Sequence, residues 1–107
     1  MIVLLINELV KLSGVSARTL RYYDEIGLLK PSMVEQNGYR QYSQPDIDRL
    51  QQILFYRTLD FKLEQIKVLL EDPNFEVKEA LKNQQKLLEQ KRNYLDGLLQ
   101  TIAQTID

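Results

Sequence analysis

The stretch that decides the fold is Gly14-Val15-Ser16-Ala17-Arg18-Thr19-Leu20-Arg21-Tyr22-Tyr23-Asp24-Glu25-Ile26-Gly27-Leu28-Leu29. Ser16 can cap a helix that runs to Ile26 and is stopped by Gly27. Leu20, Tyr23 and Gly27 fall on one side of that helix and can face a core. Arg18, Arg21, Tyr22 and Glu25 sit at i, i+3, i+4 and i+7, a single outward stripe. Two guanidiniums and a phenol on one exposed face suit a DNA groove, because arginine's planar fork matches phosphate oxygens or the O6/N7 edge of guanine. The plainer alternative is a solvated face with Arg21 paired to Glu25.

Upstream, Asn7-Glu8-Leu9-Val10-Lys11-Leu12-Ser13 reads as a first short helix, with Asn7 as its cap and Gly14 as its stop. Two helices joined by so short a link must meet at a steep angle, which is a helix-turn-helix. The opening Met1-Ile2-Val3-Leu4-Leu5-Ile6 lacks a basic flank and is far too short to span a bilayer. It reads as a short strand or buried arm, and the chain is expected to be cytoplasmic with no membrane partner.

Downstream, Leu28-Leu29-Lys30-Pro31 leaves the helix in extended form. Asn37-Gly38 signals a tight turn, and Tyr39-Arg40-Gln41-Tyr42 has strand composition, so a hairpin wing is expected beside the helices. Arg40 between two tyrosines could reach phosphates that the helix does not touch; alternatively one tyrosine packs in the core and the other is merely exposed. Ser43 and Pro45 open a third helix whose core stripe is Ile47, Leu50 and Ile53/Leu54. Leu63, Ile66, Lys67 and Leu70 mark a fourth, with Phe61 bridging the two.

Asp72-Pro73-Asn74 breaks the chain and divides it into a winged helix-turn-helix unit, residues 1–72, and a dimerisation helix, residues 73–107. From Phe75 to about Ile106 there is no proline, and such a helix would be roughly 45 Å long. Leu81, Leu88, Leu95 and Ile102 recur every seven residues, and Leu98 and Leu99 thicken the stripe. Gln84, Gln85, Lys91 and Arg92 stand in the second seam series near the start. A seam this long needs another helix, and the cheapest partner is a second copy of the chain. Which way the two copies run does not follow from the heptads.

Composition narrows the chemistry. The 107 residues include no cysteine and no histidine, which removes disulfides, thiolate metal sites and Cys/His nucleophiles. No motif supports a carboxylate metal site or a serine enzyme, so no metal, no cofactor and no catalysis are expected. The net charge of −1 argues against nucleic acid only as an average. Residues 1–43 carry five basic against four acidic side chains, and residues 71–107 five against seven, so the acidic surplus lies in the last third.

Taken together, these residues resemble the MerR family of bacterial transcription regulators. The resemblance is carried by Ile6-Asn7-Glu8-Leu9-Val10, by Gly14 to Leu29 with Pro31, by Gly38-Tyr39-Arg40-Gln41-Tyr42-Ser43, and by Leu63-Glu64-Gln65-Ile66-Lys67 with Leu70. It implies a mainly α fold, a winged helix-turn-helix with a small β-hairpin wing and a long coiled-coil helix. It further implies an antiparallel coiled-coil homodimer on double-stranded promoter DNA, activating a long-spacer promoter by distorting it and engaging RNA polymerase only indirectly. By motif position Arg18, Thr19, Arg21, Tyr22, Tyr39, Arg40 and Tyr42 would contact DNA, with Arg18 and Tyr22 on bases and the rest on phosphates.

Three features depart from the family pattern. Met33 stands where many members have an arginine, and Asp60 replaces the usual glycine before Phe61. The cysteines of metal- and redox-sensing members are missing. Asp72-Pro73-Asn74-Phe75 and the lost wing arginine are most similar to the subgroup with a C-terminal drug-sensing domain. With the chain stopping at Asp107, regulation without a sensor or inducer is expected. The competing expectation is a DNA-architectural or excisionase-like winged-helix protein. A coiled-coil adaptor with no DNA role would leave Arg18, Arg21 and Arg40 incidental.

Overall fold

Helix stops and starts follow the local chemistry closely in the computed structural model, which describes residues 3–107. A strand β1 (Val3–Leu5) leads directly into α1 (Ile6–Ser13), which ends at Gly14 in the left-handed region, φ 76°. Residues Met1 and Ile2 of the expected N-terminal strand lie outside the described residues. The first helix starts two residues earlier than Asn7 as a cap would set it. Leu5 is the cap residue, and its amide donates to the Glu8 carboxylate at 2.9 Å, which leaves Asn7 inside the helix.

After the short link through Val15 and Ser16 comes α2 (Ala17–Glu25), followed by β2 (Met33–Val34), β3 (Arg40–Ser43) and α3 (Gln44–Thr58). The wing is more than a hairpin. β1 and β2 both pair antiparallel with the central β3, so the sheet order is β1-β3-β2. Leu4 faces Tyr42 in one pairing and Val34 faces Arg40 in the other. The Asn37-Gly38 turn is as expected, with the Gly38 amide donating to the Glu35 carbonyl at 2.8 Å. Asp46, near the start of α3, accepts from the Ser43 and Ser32 amides at 2.9 and 3.0 Å and so ties both strands of the wing to the helix behind them.

Helices α2 and α3 end in the same Schellman turn. In α2 the Leu28 amide reaches the Tyr23 carbonyl and Gly27 occupies the left-handed position, φ 73°. In α3 the Phe61 amide reaches the Tyr56 carbonyl, and the left-handed position is taken by Asp60, φ 65°. Asp60 is the only non-glycine residue with positive φ among those described. The departure noted at this position in the sequence is thus absorbed without changing the turn. The Tyr56 and Phe61 rings, 5.0 Å apart, supply the apolar contact that accompanies such a turn.

Next, α4 (Leu63–Glu71) packs on α3, and α5 (Val77–Ile106) closes the chain. This last helix starts two residues later than Phe75, because Asn74 and Phe75 are held in a turn by Asp72. A single core joins Leu9 of α1, Leu20 and Tyr23 of α2, Tyr42 of β3, Leu50 and Ile53 of α3 and Ile66 of α4. The expected fold class is therefore the observed one, with a third strand added to the wing.

Candidate nucleic-acid interface

Both ends of α2 are fixed. At its start, Ser16 accepts from the Thr19 amide at 3.1 Å and donates its own hydroxyl proton to Thr19 Oγ1 at 2.9 Å. Thr19, expected to touch DNA, has its hydroxyl engaged in this cap. At the far end, Lys67 of α4 donates to the Ile26 carbonyl at 3.0 Å, and Arg49 of α3 donates to the Leu28 carbonyl at 2.7 Å. Cations at a helix C-terminus satisfy its free carbonyls and match its dipole. With Leu20 and Tyr23 sunk in the core, α2 can neither roll nor slide.

Its opposite face is open. Arg18 and Arg21 are exposed, Tyr22 is 48% exposed, and among the described residues none of the three side chains bonds to another protein group. Arg21 forms no ion pair with Glu25, so the stripe is not closed on itself. These three side chains point away from a rigid support, which is what a groove-reading helix requires.

The two tyrosines of the wing follow the alternative in which one packs in the core and the other is exposed. Tyr39, at the turn, is exposed. Tyr42, expected to contact DNA, is fully buried at 0% exposure, and its hydroxyl makes no hydrogen bond to the protein. Strand alternation puts Tyr39 and Tyr42, three residues apart, on opposite faces. On the Tyr42 face, α1 and α3 pack against β3 and close over the ring. Burial raises the Tyr42 pKa, opposed by Arg40, with Asp24 and Asp46 adding to the rise and Arg21 opposing it. Arg40 is not free either. Its Nε donates to Asp24 Oδ2 at 3.2 Å, joining the wing to α2.

Two cations that the sequence reading did not single out as DNA contacts share the surface with Tyr22. Arg57, at the end of α3, and Lys62, at the start of α4, line a cleft of about 630 Å³ with Tyr22, Ile26, Leu63, Lys67 and the acidic Glu64. Their signal in the sequence was weak. Arg57 falls at the end of an apolar stripe, and Lys62 lies in a link whose direction only the fold reveals.

On α5 the heptad residues divide by position. Leu81, Leu95, Leu98, Leu99 and Ile102 are exposed, with Leu95 at 47% and Ile102 at 55%, while Leu88 is half-buried. Gln84 is not in an open seam. It is buried against α3, where its Nε2 donates to Gln52 Oε1 at 2.7 Å. Phe55, Leu81, Gln85 and Leu88 line an apolar groove of about 370 Å³ beside that contact. Among the described residues there is no cluster of three or more metal-ligating side chains, and no helix long and apolar enough to cross a membrane.

A family model described as "MerR HTH family regulatory protein" matches residues 4–72, and another, "MerR, DNA binding", matches residues 47–107. The chain belongs to the MerR family. Among MerR relatives it is 46% identical over 101 residues to the HTH-type transcriptional activator mta of Bacillus subtilis, covering 94% of this chain and 39% of that protein. The crystal structure of SkgA from Caulobacter crescentus superimposes with a TM-score of 0.87 at 42% identity, covering 99% of this chain and 76% of that one. EcmrR, solved as a complex with DNA, is 27% identical with a TM-score of 0.63, covering 96% of this chain and 38% of that one. The chain spans about two fifths of the length of MerR relatives such as mta and TipA.

Proposed function

We propose that this chain is the sequence-specific DNA-binding and dimerisation part of a MerR-type transcription activator acting on promoter DNA. The observation that carries this reading is the open face of α2. Arg18, Arg21 and Tyr22 project from a helix locked at both ends, between the wing on one flank and Arg57 with Lys62 on the other. Arg18 and Tyr22 read base edges in the major groove; Arg21, Tyr39, Arg40, Arg57 and Lys62 hold phosphates. Tyr42 supports the wing from beneath and touches no DNA. Thr19 gives its backbone amide to the Ser16 cap and accepts from the Ser16 hydroxyl, so only its own hydroxyl proton is left to offer a phosphate.

The distal half of α5 pairs with the same helix of a second copy, which covers Leu95, Leu98, Leu99 and Ile102. Two α2 helices are then held at a fixed spacing on a near-palindromic site. Activation follows from deforming that site so that RNA polymerase engages both promoter elements, at an elastic cost of roughly 1–6 kcal/mol that added phosphate contacts offset. Such a protein works in the cytoplasm and needs no cofactor for binding.

Selection of bound duplexes from a random pool, followed by footprinting, tests this reading. The expected product is one symmetric sequence protected over both halves. Cooperative tiling without a symmetric unit would instead indicate an architectural DNA-binding protein.

A further inference from the structure

Asp24 lies on the helix proposed to enter the groove, and an acid there should repel DNA. Plain electrostatics would have it weaken binding, so its position calls for a compensating role. Its carboxylate meets Arg40 through a single nitrogen, Nε, at 3.2 Å. An arginine has five N–H donors, and this contact uses one. The four on the terminal amino groups make no hydrogen bond to the protein among the described residues. The pair is neither sealed nor fully solvated, with side chains 28% and 22% exposed for Arg40 and Asp24.

The surroundings explain why the pair is held there. Beneath it lies the fully buried ring of Tyr42, whose phenol feels both charges as well as Arg21. Arg40 sits on β3 where that strand pairs with Val34 of the short edge strand β2. The wing shares the core with α2 through Tyr42, Leu20 and Tyr23, and the Asp24–Arg40 pair adds a polar link between the two at the surface. At the next residue of β3, Gln41 donates its side-chain amide to Glu35, which stiffens the wing internally without tying it to the helix.

We propose that Asp24 is a positioning residue: it grips Arg40 through Nε so that the two terminal amino groups face a DNA phosphate in fixed register with Arg21 and Tyr22. This rests on the DNA-binding reading above. The wing and the helix then act as one unit, with Asp24 as the strut between them. A carboxylate that costs some long-range attraction is kept because it sets the aim of the guanidinium. Orienting one charged donor by another group is how side-chain forks gain geometric specificity.

The test measures binding of the intact chain to a duplex selected from a random pool by the wild-type protein, across a series of salt concentrations. Asp24→Asn removes the negative charge and weakens the grip on Arg40 while preserving shape. Charge alone predicts tighter binding. The strut predicts binding weaker by about three- to tenfold, as for one charge-assisted hydrogen bond that is partly exposed. It also predicts a salt slope shallower by about 0.9, the value for one lost phosphate contact. Arg40→Lys keeps the charge but cannot hold Asp24 and a phosphate through one rigid fork, so it should lose a similar amount. The double variant should lose no more than either single one. Equal or tighter binding by Asp24→Asn overturns the proposal and makes the pair a mask over Arg40. Additive losses in the double variant overturn it too. If the wild-type chain selects no sequence at all, the DNA-binding reading falls, and the strut with it.

Discussion

Gln84 of α5 and Gln52 of α3, thirty-two residues apart, share a hydrogen bond of 2.7 Å in a place that excludes water, with 2% and 4% of their surfaces exposed. The Gln84 Oε1 atom beside it makes no bond to the protein. A buried amide pair of this kind is directional in a way that leucine packing is not. It sets where the long helix leaves the DNA-binding body and therefore where its distal half, with the partner helix, must lie. A second tie on the same side is Lys91, which donates to the Thr58 carbonyl at 2.7 Å and sits 3.4 Å from Asp60.

Gln84→Ala should lower unfolding stability by about 1–3 kcal/mol, since it strands the buried Gln52 amide. Replacing both glutamines with leucine should restore most of that loss or exceed it, because no polar group is then left unpaired. Denaturant unfolding at one fixed protein concentration reads both, as dimerisation makes stability concentration-dependent. A double variant as unstable as Gln84→Ala would mean that shape, not the hydrogen bond, governs the contact.

Much of this fold was legible from the order of residues. The Ser16 cap, the Gly14 and Gly27 stops, the Asn37-Gly38 turn and the apolar stripes are local signals, and local signals survive folding. The exposed face of α2 followed from helical period alone. What could not be read depended on contacts distant in the chain. The odd spacing of Tyr39 and Tyr42 allows one in the core and one exposed, but only the packing of α1 and α3 on β3 decides which is buried. Arg40 reads as a free cation until α2 brings Asp24 to it from sixteen residues away. Gln84 fits a heptad seam as well as it fits α3, because periodicity reports a face and not its partner.

At Asp60 a side chain occupies a backbone region that favours glycine, φ 65°, on the corner between α3 and α4. Asp60→Ala should destabilise the fold by roughly 1–2 kcal/mol, as a Cβ stays in the left-handed region without the local polar contact. Asp60→Gly should be neutral or stabilising by up to about 1 kcal/mol, the left-handed strain being removed. Thermal unfolding distinguishes them. Equal losses for both would place the stabilisation in the 3.4 Å contact with Lys91 rather than in the backbone.

Burial holds the Tyr42 phenol above its ordinary value of 10.0, and burial likewise raises Tyr23 against the opposing charge of Arg57. Folding therefore favours the protonated phenols. Their contribution is fully present below the unfolded value near 10.0 and is lost as pH rises through the folded values. Stability should fall above about pH 10. Tyr42→Phe should flatten that alkaline fall and leave neutral-pH stability unchanged or higher by about 1 kcal/mol, since the lost hydroxyl has no partner. An unchanged alkaline fall in this variant would assign the loss elsewhere.

Leu95 and Ile102 stand exposed on the distal half of α5, outside the core, so charging them should spare the protomer's fold. Leu95→Glu with Ile102→Glu should sediment as a folded monomer and lose operator affinity, while keeping the helical content of the parent chain. A parent chain that is itself monomeric at micromolar concentration would refute the dimer.

The central claim is that the open face of α2 reads DNA sequence, and base preference tests it most directly. Affinities of the parent chain, Arg18→Ala, Tyr22→Ala and Arg57→Ala would be measured on a selected operator and on its single-base variants, at one salt concentration. Arg18→Ala and Tyr22→Ala should flatten the discrimination at particular base pairs by roughly 1–3 kcal/mol per lost contact. Arg57→Ala should weaken every duplex alike, as a phosphate contact does. Unaltered base preferences in both Arg18→Ala and Tyr22→Ala would contradict the account and move recognition to another surface of the molecule.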